Sequence, residues 1–142
     1  MIENAVERLK AALAGRQEIR FAYLFGSLAK GRAGAASDVD VAVRVDAEAL
    51  KKDYAYGYKA ELTAHLMGCL KTNRVDVVLL NEAKPYLRSQ VMRYGLLVLN
   101  NDEPARIRFC VETIRLYDDA KRLLAIQNGY MMRRIEEGRF GR

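Results

Sequence analysis

The amino-acid sequence predicts an α/β (α+β) protein built on a mixed sheet with flanking helices. Two observations indicate this class: short apolar runs rich in β-branched residues alternate with longer segments whose apolar residues recur at helical spacing. The 142 residues fit one domain, because a chain of this size can bury about 68–70% of its unfolded surface. We expect a single domain over residues 1–142, with its core at about 20–81 and a helical C-terminal segment at about 102–137.

A helix and a strand open the chain. Apolar residues recur at helical spacing over residues 2–14, and Gly15 can end this helix. The apolar run from Arg20 to Phe25 predicts the first core strand.

The first strand ends at Gly26, where the backbone can turn closely around a ligand. Ser27 then opens a short predicted helix that ends at Lys30, with the free N–H groups of its first turn pointing outward. Such a turn binds anions, because the N–H groups carry partial positive charge. Gly26 and Ser27 are therefore candidate phosphate-binding residues, whereas Lys30 and Arg32 fit phosphate contacts and solvated loop cations equally well.

The second predicted strand, residues 38–45, begins with the triplet Asp-Val-Asp. Asp38 and Asp40 share one face of this strand, with Cα atoms about 6.6 Å apart, and the valines occupy the opposite, packed face. Two carboxylates this close repel each other unless a cation neutralises them, and their oxygens suit a hard divalent cation such as Mg²⁺. The pair predicts a metal site.

A helix follows the second strand. Asp46 is the predicted N-cap, and the helix continues to about Leu70 with apolar residues at every fourth position from Leu50. The tyrosines Tyr54 and Tyr58 fall on this apolar stripe, which favours packing over base stacking.

The third predicted strand, residues 74–80, is apolar and β-branched apart from Asp76. A charge inside such a strand is costly without a partner. If this strand pairs beside the second one, Asp76 can join Asp38 and Asp40; an edge aspartate facing water is the alternative.

The C-terminal part is predicted to be mainly helical. Pro85 suits a helix start before residues 86–94, a short strand covers 96–99, and Asp102 and Pro104 precede a long amphipathic helix. Its apolar face either covers the sheet or binds a partner. Asn128-Gly129 either ends or interrupts this helix, and Met131 and Met132 are candidates for a partner-facing patch.

Composition narrows the class of protein. The hydrophobic fraction of 51% argues against disorder, and no apolar run approaches the roughly 20 residues of a membrane helix. The N-terminus carries Glu3 and Glu7 and lacks the pattern of a signal peptide, so we expect a soluble, cytoplasmic protein. The net charge of +6 favours an acidic partner, ATP or nucleic acid, but the scattered basic residues argue against nucleic acid.

The cysteines and the histidine do not form a metal-binding pattern. Cys69 and Cys110 are far apart in sequence, and His65 is the sole histidine, which argues against zinc. Both cysteines fall in helical patterns and are predicted to be buried free thiols.

Gly26-Ser27 followed after ten residues by Asp38-x-Asp40 resembles the nucleotidyltransferase superfamily that includes DNA polymerase beta, specifically its minimal nucleotidyltransferase (MNT) branch. The resemblance covers about residues 20–81. MNT antitoxins are similar in length and act on HEPN ribonuclease toxins. The resemblance implies transfer of AMP from ATP to a tyrosine of a HEPN toxin, two Mg²⁺ ions held by Asp38, Asp40 and Asp76, and a triphosphate held at Gly26 and Ser27.

Two other functions are compatible with the same residues. A small-molecule nucleotidyltransferase, for example one that modifies an antibiotic, uses the same triad but usually has a larger acceptor-binding portion. An antitoxin that acts by binding alone would keep the acidic residues without using them.

Overall fold

The computed structural model of the chain describes residues 2–26, 38–52 and 56–136. The predicted helix from Ser27 to Lys30 and the predicted stripe residue Tyr54 lie outside these ranges. Within them, helices and strands alternate along the chain as α1 (Ile2–Leu13), β1 (Ile19–Phe25), β2 (Val39–Val45), α2 (Ala47–Leu50), α3 (Tyr58–Leu70), β3 (Val75–Leu79), α4 (Pro85–Tyr94), β4 (Leu96–Asn100) and α5 (Glu103–Glu136).

The described strands form one mixed sheet in the order β3-β2-β1-β4. β1 is antiparallel to β2 and to β4, whereas β2 and β3 are parallel. Asn81 continues the pairing beyond β3, because its side chain accepts the N–H of Val45 at 2.9 Å and donates to the carbonyl of Val45 at 2.7 Å. The predicted mixed sheet with flanking helices is confirmed, as is the pairing of the Asp76 strand with the second strand.

The two faces of the sheet carry separate clusters of buried side chains. On one face, Val41 and Val43 of β2 pack with α1 and α3, through residues such as Leu9 and Leu66. On the other face, Ala42 joins a smaller cluster that α4 and α5 close with their own side chains. The alternation along β2 therefore matches the predicted packed valine face.

One predicted helix is wrong. Instead of a single helix from Asp46 to Leu70, α2 ends at Leu50 and α3 begins at Tyr58, after Gly57 with φ of 90°. The four-residue spacing of the apolar residues explains the error. In a helix of 3.6 residues per turn, each step of four residues rotates about 40° past a full turn, so these residues cannot stay on one face over the whole segment. The predicted N-cap is confirmed, because the Asp46 carboxylate accepts the N–H of Glu48 at 3.1 Å.

The last helix, α5, is continuous through Gly129 to Glu136. Its first turns pack on α4 and on β1, and Phe109 and Thr113 are buried in this part of the helix. Every residue from 118 to 133 is exposed, so this part extends away from the sheet. No helix within the described ranges is both long enough and apolar enough to cross a membrane.

Both cysteines are free thiols, but the prediction that they are buried is wrong for Cys69, which is exposed, and Cys110 is only half-buried. Cys69 lines a depression between α3 and α1, with its Sγ atom 3.7 Å from Nε2 of His65. The ring Nε2 of His65 lies 2.9 Å from the carbonyl oxygen of Ala12, so this histidine links the two helices.

A polar network fixes the start of α3 to the segment before β1. The Tyr58 hydroxyl donates to Glu18 at 2.8 Å, and Arg16 pairs with both Glu18, at 3.0 Å, and Glu61. Burial raises the pKa of Glu18. The hydrogen bonds from Tyr58 and from the Glu18 backbone, together with the charge of Arg16, lower this pKa by more, so that it lies below its ordinary value of 4.5. The ionised form of Glu18 therefore stabilises the folded state.

We expect Tyr58→Phe to lower the free energy of unfolding by about 1.5 kcal/mol at neutral pH, since a hydrogen bond to a charged group is lost. A lowered folded pKa gives stability that is complete above the unfolded pKa and is lost as the pH falls through the folded pKa. The difference between wild type and variant should therefore shrink below about pH 4.5. Urea unfolding across this pH range measures it.

The matched control is Tyr56→Phe, because the Tyr56 side chain is 91% exposed. This variant should unfold like the wild type at every pH. A Tyr58→Phe deficit that keeps its full size in acid would show that Glu18 ionisation is not its cause.

Candidate active site

The carboxylate of Asp40 lies against the backbone of Gly26. β1 and β2 are paired so that Phe25, the last residue of β1, faces Asp40. Gly26 follows with φ of 79°, and a Cβ atom there would lie 2.2 Å from Oδ2 of Asp40. Glycine is therefore required twice at this position, for its backbone conformation and for the space that the carboxylate occupies.

The parallel pairing of β2 and β3 brings a second carboxylate to the same place. Asp40 and Asp76 are register partners on the two strands. Burial raises the pKa of Asp40, and the negative charges of Asp76 and then Asp38 raise it further. Asp38 and Asp76 are exposed, and Asp40 is half-buried. The three predicted carboxylates thus interact at one end of the sheet, where the strand β1 also ends.

A depression of about 460 Å³ opens beside these carboxylates, lined by Asp38, Asn73, Arg74, Val75 and Asp76. Its volume falls in the range of small-molecule sites. Asn73 and Arg74 were not among the candidate site residues predicted from the sequence, although Arg74 opens the predicted third strand. No local pattern marks them, because they reach the site only through the pairing of β3 with β2.

The three acidic side chains are chemically suited to a hard cation, because each offers carboxylate oxygens. Within residues 2–26, 38–52 and 56–136, however, no three histidine, cysteine, aspartate or glutamate side chains already stand as a set that could hold a metal ion. Mg²⁺ commonly takes one or two protein carboxylates and completes its shell with water and substrate phosphates. The arrangement is therefore suited to a cation that binds together with a phosphorylated substrate.

Other predicted features of the site lie outside the described ranges. Ser27, the candidate phosphate-binding hydroxyl, belongs to this group, as do Lys30 and Arg32. Gly26, which precedes them, is described and follows the end of β1 beside Asp40.

Comparison with known proteins assigns the fold to a class. The family of polymerase beta nucleotidyltransferases matches residues 7–104, more than half of the chain. The chain belongs to this nucleotidyltransferase family. Among curated protein sequences, none matches the chain with significance.

Solved structures give more specific similarities. A protein described as a minimal nucleotidyltransferase is 32% identical, with a TM-score of 0.53 over 67% of this chain and 93% of the other. A toxin–antitoxin crystallised with AMP-PNP is 26% identical, with a TM-score of 0.67 over 88% and 98%. The complex of an MNT antitoxin with a tri-AMPylated HEPN toxin from Shewanella oneidensis, at 24% identity, a TM-score of 0.63 and 92% and 99% coverage, shares the fold. The predicted resemblance to MNT antitoxins is confirmed.

Three glycine substitutions test the contact between Gly26 and Asp40. Gly26→Ala should destabilise the protein most, because the new methyl group meets the Asp40 carboxylate and the backbone has a positive φ. Gly57→Ala meets no atom within 4 Å, but its φ of 90° and ψ of 164° lie in a region almost restricted to glycine, so it should cost only backbone strain of about 1–3 kcal/mol. Gly15→Ala, with no atom within 4 Å and no positive φ, is the neutral control.

Chemical denaturation of the three variants measures this order. NMR titration of Asp40 should in addition show a changed pKa in Gly26→Ala alone. Equal losses for Gly26→Ala and Gly57→Ala would mean that the carboxylate does not lie against Gly26.

Proposed function

We propose that this protein is an antitoxin that transfers AMP from ATP to a tyrosine of a HEPN ribonuclease toxin. The observation that carries the proposal is the placement of Asp40 against the Gly26 turn with Asp76 beside it, in a member of the nucleotidyltransferase family. The 26% identical neighbour is a toxin–antitoxin with bound AMP-PNP, which supports both ATP as the substrate and a toxin as the partner.

The turn after β1 is the proposed triphosphate site. Gly26 lets the chain turn next to the carboxylates without a side chain, and Ser27 would contribute its hydroxyl and backbone N–H to the β and γ phosphates. Net charge supports this assignment, because a chain of +6 attracts a polyanion such as ATP.

Asp38, Asp40 and Asp76 are the proposed ligands of two Mg²⁺ ions. When bound, these ions would neutralise phosphate charge and polarise the α-phosphate towards attack. The pKa of Asp40 is raised first by burial and then by the charges of Asp76 and Asp38, which supports the assignment because carboxylates held together without an ion repel one another. A divalent cation relieves that repulsion, so binding of the cation and of the nucleotide should be coupled.

The reaction is an in-line displacement at the α-phosphate. A bond forms between the acceptor oxygen and the α-phosphorus, the bond from that phosphorus to the β-bridging oxygen breaks, and pyrophosphate leaves with the bonding electrons. The acceptor hydroxyl must lose its proton, and Asp76 is the proposed general base. The side chain of Asp76 is exposed among the described residues, so an incoming tyrosine can reach it.

The shape of the protein supports a macromolecular acceptor. After β3 the described chain adds only α4, β4 and α5 to the sheet, and these form no second lobe that could enclose a small acceptor. The site depression is lined by Asp38 and by residues 73–76 at the start of β3. An acceptor presented by a partner protein needs no such lobe, which is why a toxin tyrosine is favoured over an antibiotic.

Transfer of labelled AMP tests the proposed chemistry. The protein is incubated with labelled ATP, Mg²⁺ and the product of the neighbouring gene, and label on that product is measured by gel and mass spectrometry. Asp40→Asn and Asp76→Asn should each reduce the transfer rate by about 100-fold or more, since one removes a proposed ligand and the other a general base. Glu7→Gln, an exposed acidic residue on α1, is the control and should transfer normally.

Transfer that survives in both aspartate variants would remove these carboxylates from the mechanism. If the wild type transfers nothing but still neutralises the toxin, and the aspartate variants do so equally well, the antitoxin acts by binding alone.

Nucleotide binding can be tested without any partner. Mg-ATP that binds only the folded state should stabilise the wild type by about 2.7 kcal/mol at a concentration of 100 Kd, seen as a higher Tm. ATP with EDTA should give a smaller shift, and Asp40→Asn should lose most of the Mg²⁺-dependent part. An equal shift in Asp40→Asn and in the wild type would show that Asp40 does not hold the cation.

A further inference from the structure

A second polar cavity lies at the end of the sheet away from the three carboxylates. Asp40 is near the start of β2 and Arg44 is near its end, about 13 Å further along at about 3.3 Å per residue. The cavity at this end, the end cavity, has a volume of about 350 Å³ and lies between the end of β2 and the first turns of α5. Its charged lining residues are Arg20, Arg44, Asp46, Asp102, Arg108 and Glu112.

The three acidic residues of the end cavity are already engaged. Asp46 pairs with Arg20 at 2.8 Å. Asp102 caps the first turn of α5 by accepting a backbone N–H at 3.1 Å. Glu112 pairs with Arg88 of α4 at 3.3 Å. Counting Arg88, four arginines share three carboxylates, so positive charge is in excess around the cavity.

Arg44 is the arginine that these pairs leave uncompensated. Its guanidinium lies 5.8 Å from the ring centroid of Phe109, and that of Arg88 lies 5.2 Å from the same centroid. Burial lowers the pKa of Arg44, the charge of Arg88 lowers it further, and the charge of Glu112 raises it. Among the residues that the structure describes, the half-buried Arg44 side chain has no hydrogen bond and no ion pair. A half-buried charge without a partner is costly.

The same cluster has more hydrogen-bond donors than acceptors. Arg88 is buried and donates to Glu112 and to the carbonyl of Asn81 at 3.1 Å, but its Nε finds no acceptor in the described part of the chain. Arg108 lines the end cavity, is exposed, and likewise has no ion pair within the described ranges. An anion between Arg44 and Arg108 would supply both the acceptors and the negative charge that the cluster lacks.

We propose that the end cavity binds a phosphate group through Arg44 and Arg108. Each guanidinium presents paired N–H donors that match two oxygens of a phosphate, and a phosphate group carries about two negative charges at neutral pH. The ring of Phe109 is 3% exposed, so the cavity offers no aromatic face for a base and recognises the phosphate alone. The end cavity shares no lining residue with the depression beside the carboxylates, so this site does not depend on the proposed AMP transfer.

Titration with inorganic phosphate, without Mg²⁺ and at constant ionic strength, tests the site in the full-length protein. The signals to follow by NMR are the Nε–H groups of Arg44 and Arg108 and the backbone N–H of Phe109. These three should shift together and saturate, while the backbone signals of Gly26 and Asp40 stay in place. Shifts confined to Gly26 and Asp40 would assign the phosphate to the candidate active site and overturn the proposal.

Four substitutions test which charges hold the anion. Arg44→Gln and Arg108→Gln should each raise the Kd for phosphate by about tenfold or more, since each removes charge-assisted hydrogen bonds. Arg122→Gln, at an exposed position of α5 outside the end cavity, should bind like the wild type. Glu112→Gln should instead lower the Kd, because it removes a negative charge from the cavity. Circular dichroism checks folding, and Arg108→Gln changes an exposed residue, so it tests the site even if Arg44→Gln does not fold.

AMP and adenosine show where the phosphate comes from. Equal affinity for AMP and inorganic phosphate at the Arg44 signal indicates the free ion, tighter AMP binding indicates a phosphate ester, and adenosine should bind to neither arginine. Absence of saturable binding overturns the proposal, as does an unchanged Kd in both Arg44→Gln and Arg108→Gln. Loss of AMP transfer in Asp40→Asn with phosphate binding retained would leave the end cavity as a separate site.

Discussion

The mutual repulsion of carboxylates at one end of the sheet is the constraint on which the site depends. Asp40 cannot move away from Asp76, because their strands are paired in register, and it cannot move towards β1 without meeting the backbone at Gly26. The fold thus keeps these carboxylates close together, although their mutual repulsion favours separating them. Like charges that are kept together raise the affinity for a cation, and the partial burial of Asp40 strengthens this effect.

The rest of the fold supplies the stiffness that this arrangement needs. The cluster formed by α1, α3 and the central strands buries the middle of β2 completely on one face. The contacts of Asn81 with Val45 hold the far end of β2, and the network around Tyr58 holds α3 in place. Packing of α4 and α5 on the other face fixes β1, through the contact of Phe21 with Phe109 at 5.3 Å between ring centroids. Asp40 and Asp76 are therefore carried by strands of a sheet that is packed on both faces.

Much of the fold and of the candidate site could be predicted from local rules. Gly26, Asp38 and Asp40 are recognisable because a strand break and a two-residue alternation are local properties of the chain. Asp76 is recognisable as a candidate site residue because a charged side chain in an otherwise apolar strand is costly without a partner. The break between α2 and α3 was missed because it depends on the backbone of Gly57, which the apolar stripe concealed. Asn73 and Arg74 were missed because a residue before a strand becomes part of a site only through tertiary structure.

The parallel pairing of β2 with β3 affects the order in which the candidate site forms as the protein is made and folds. Parallel neighbours need a crossover, and here the crossover contains α2 and α3 and places Asp40 and Asp76 thirty-six positions apart in the chain. On a ribosome, a nascent chain that has emerged only through β2 already has β1 and β2 but lacks the third carboxylate. Because such long-range pairing forms late, Asp40 and Asp76 come together only after β3 has been made.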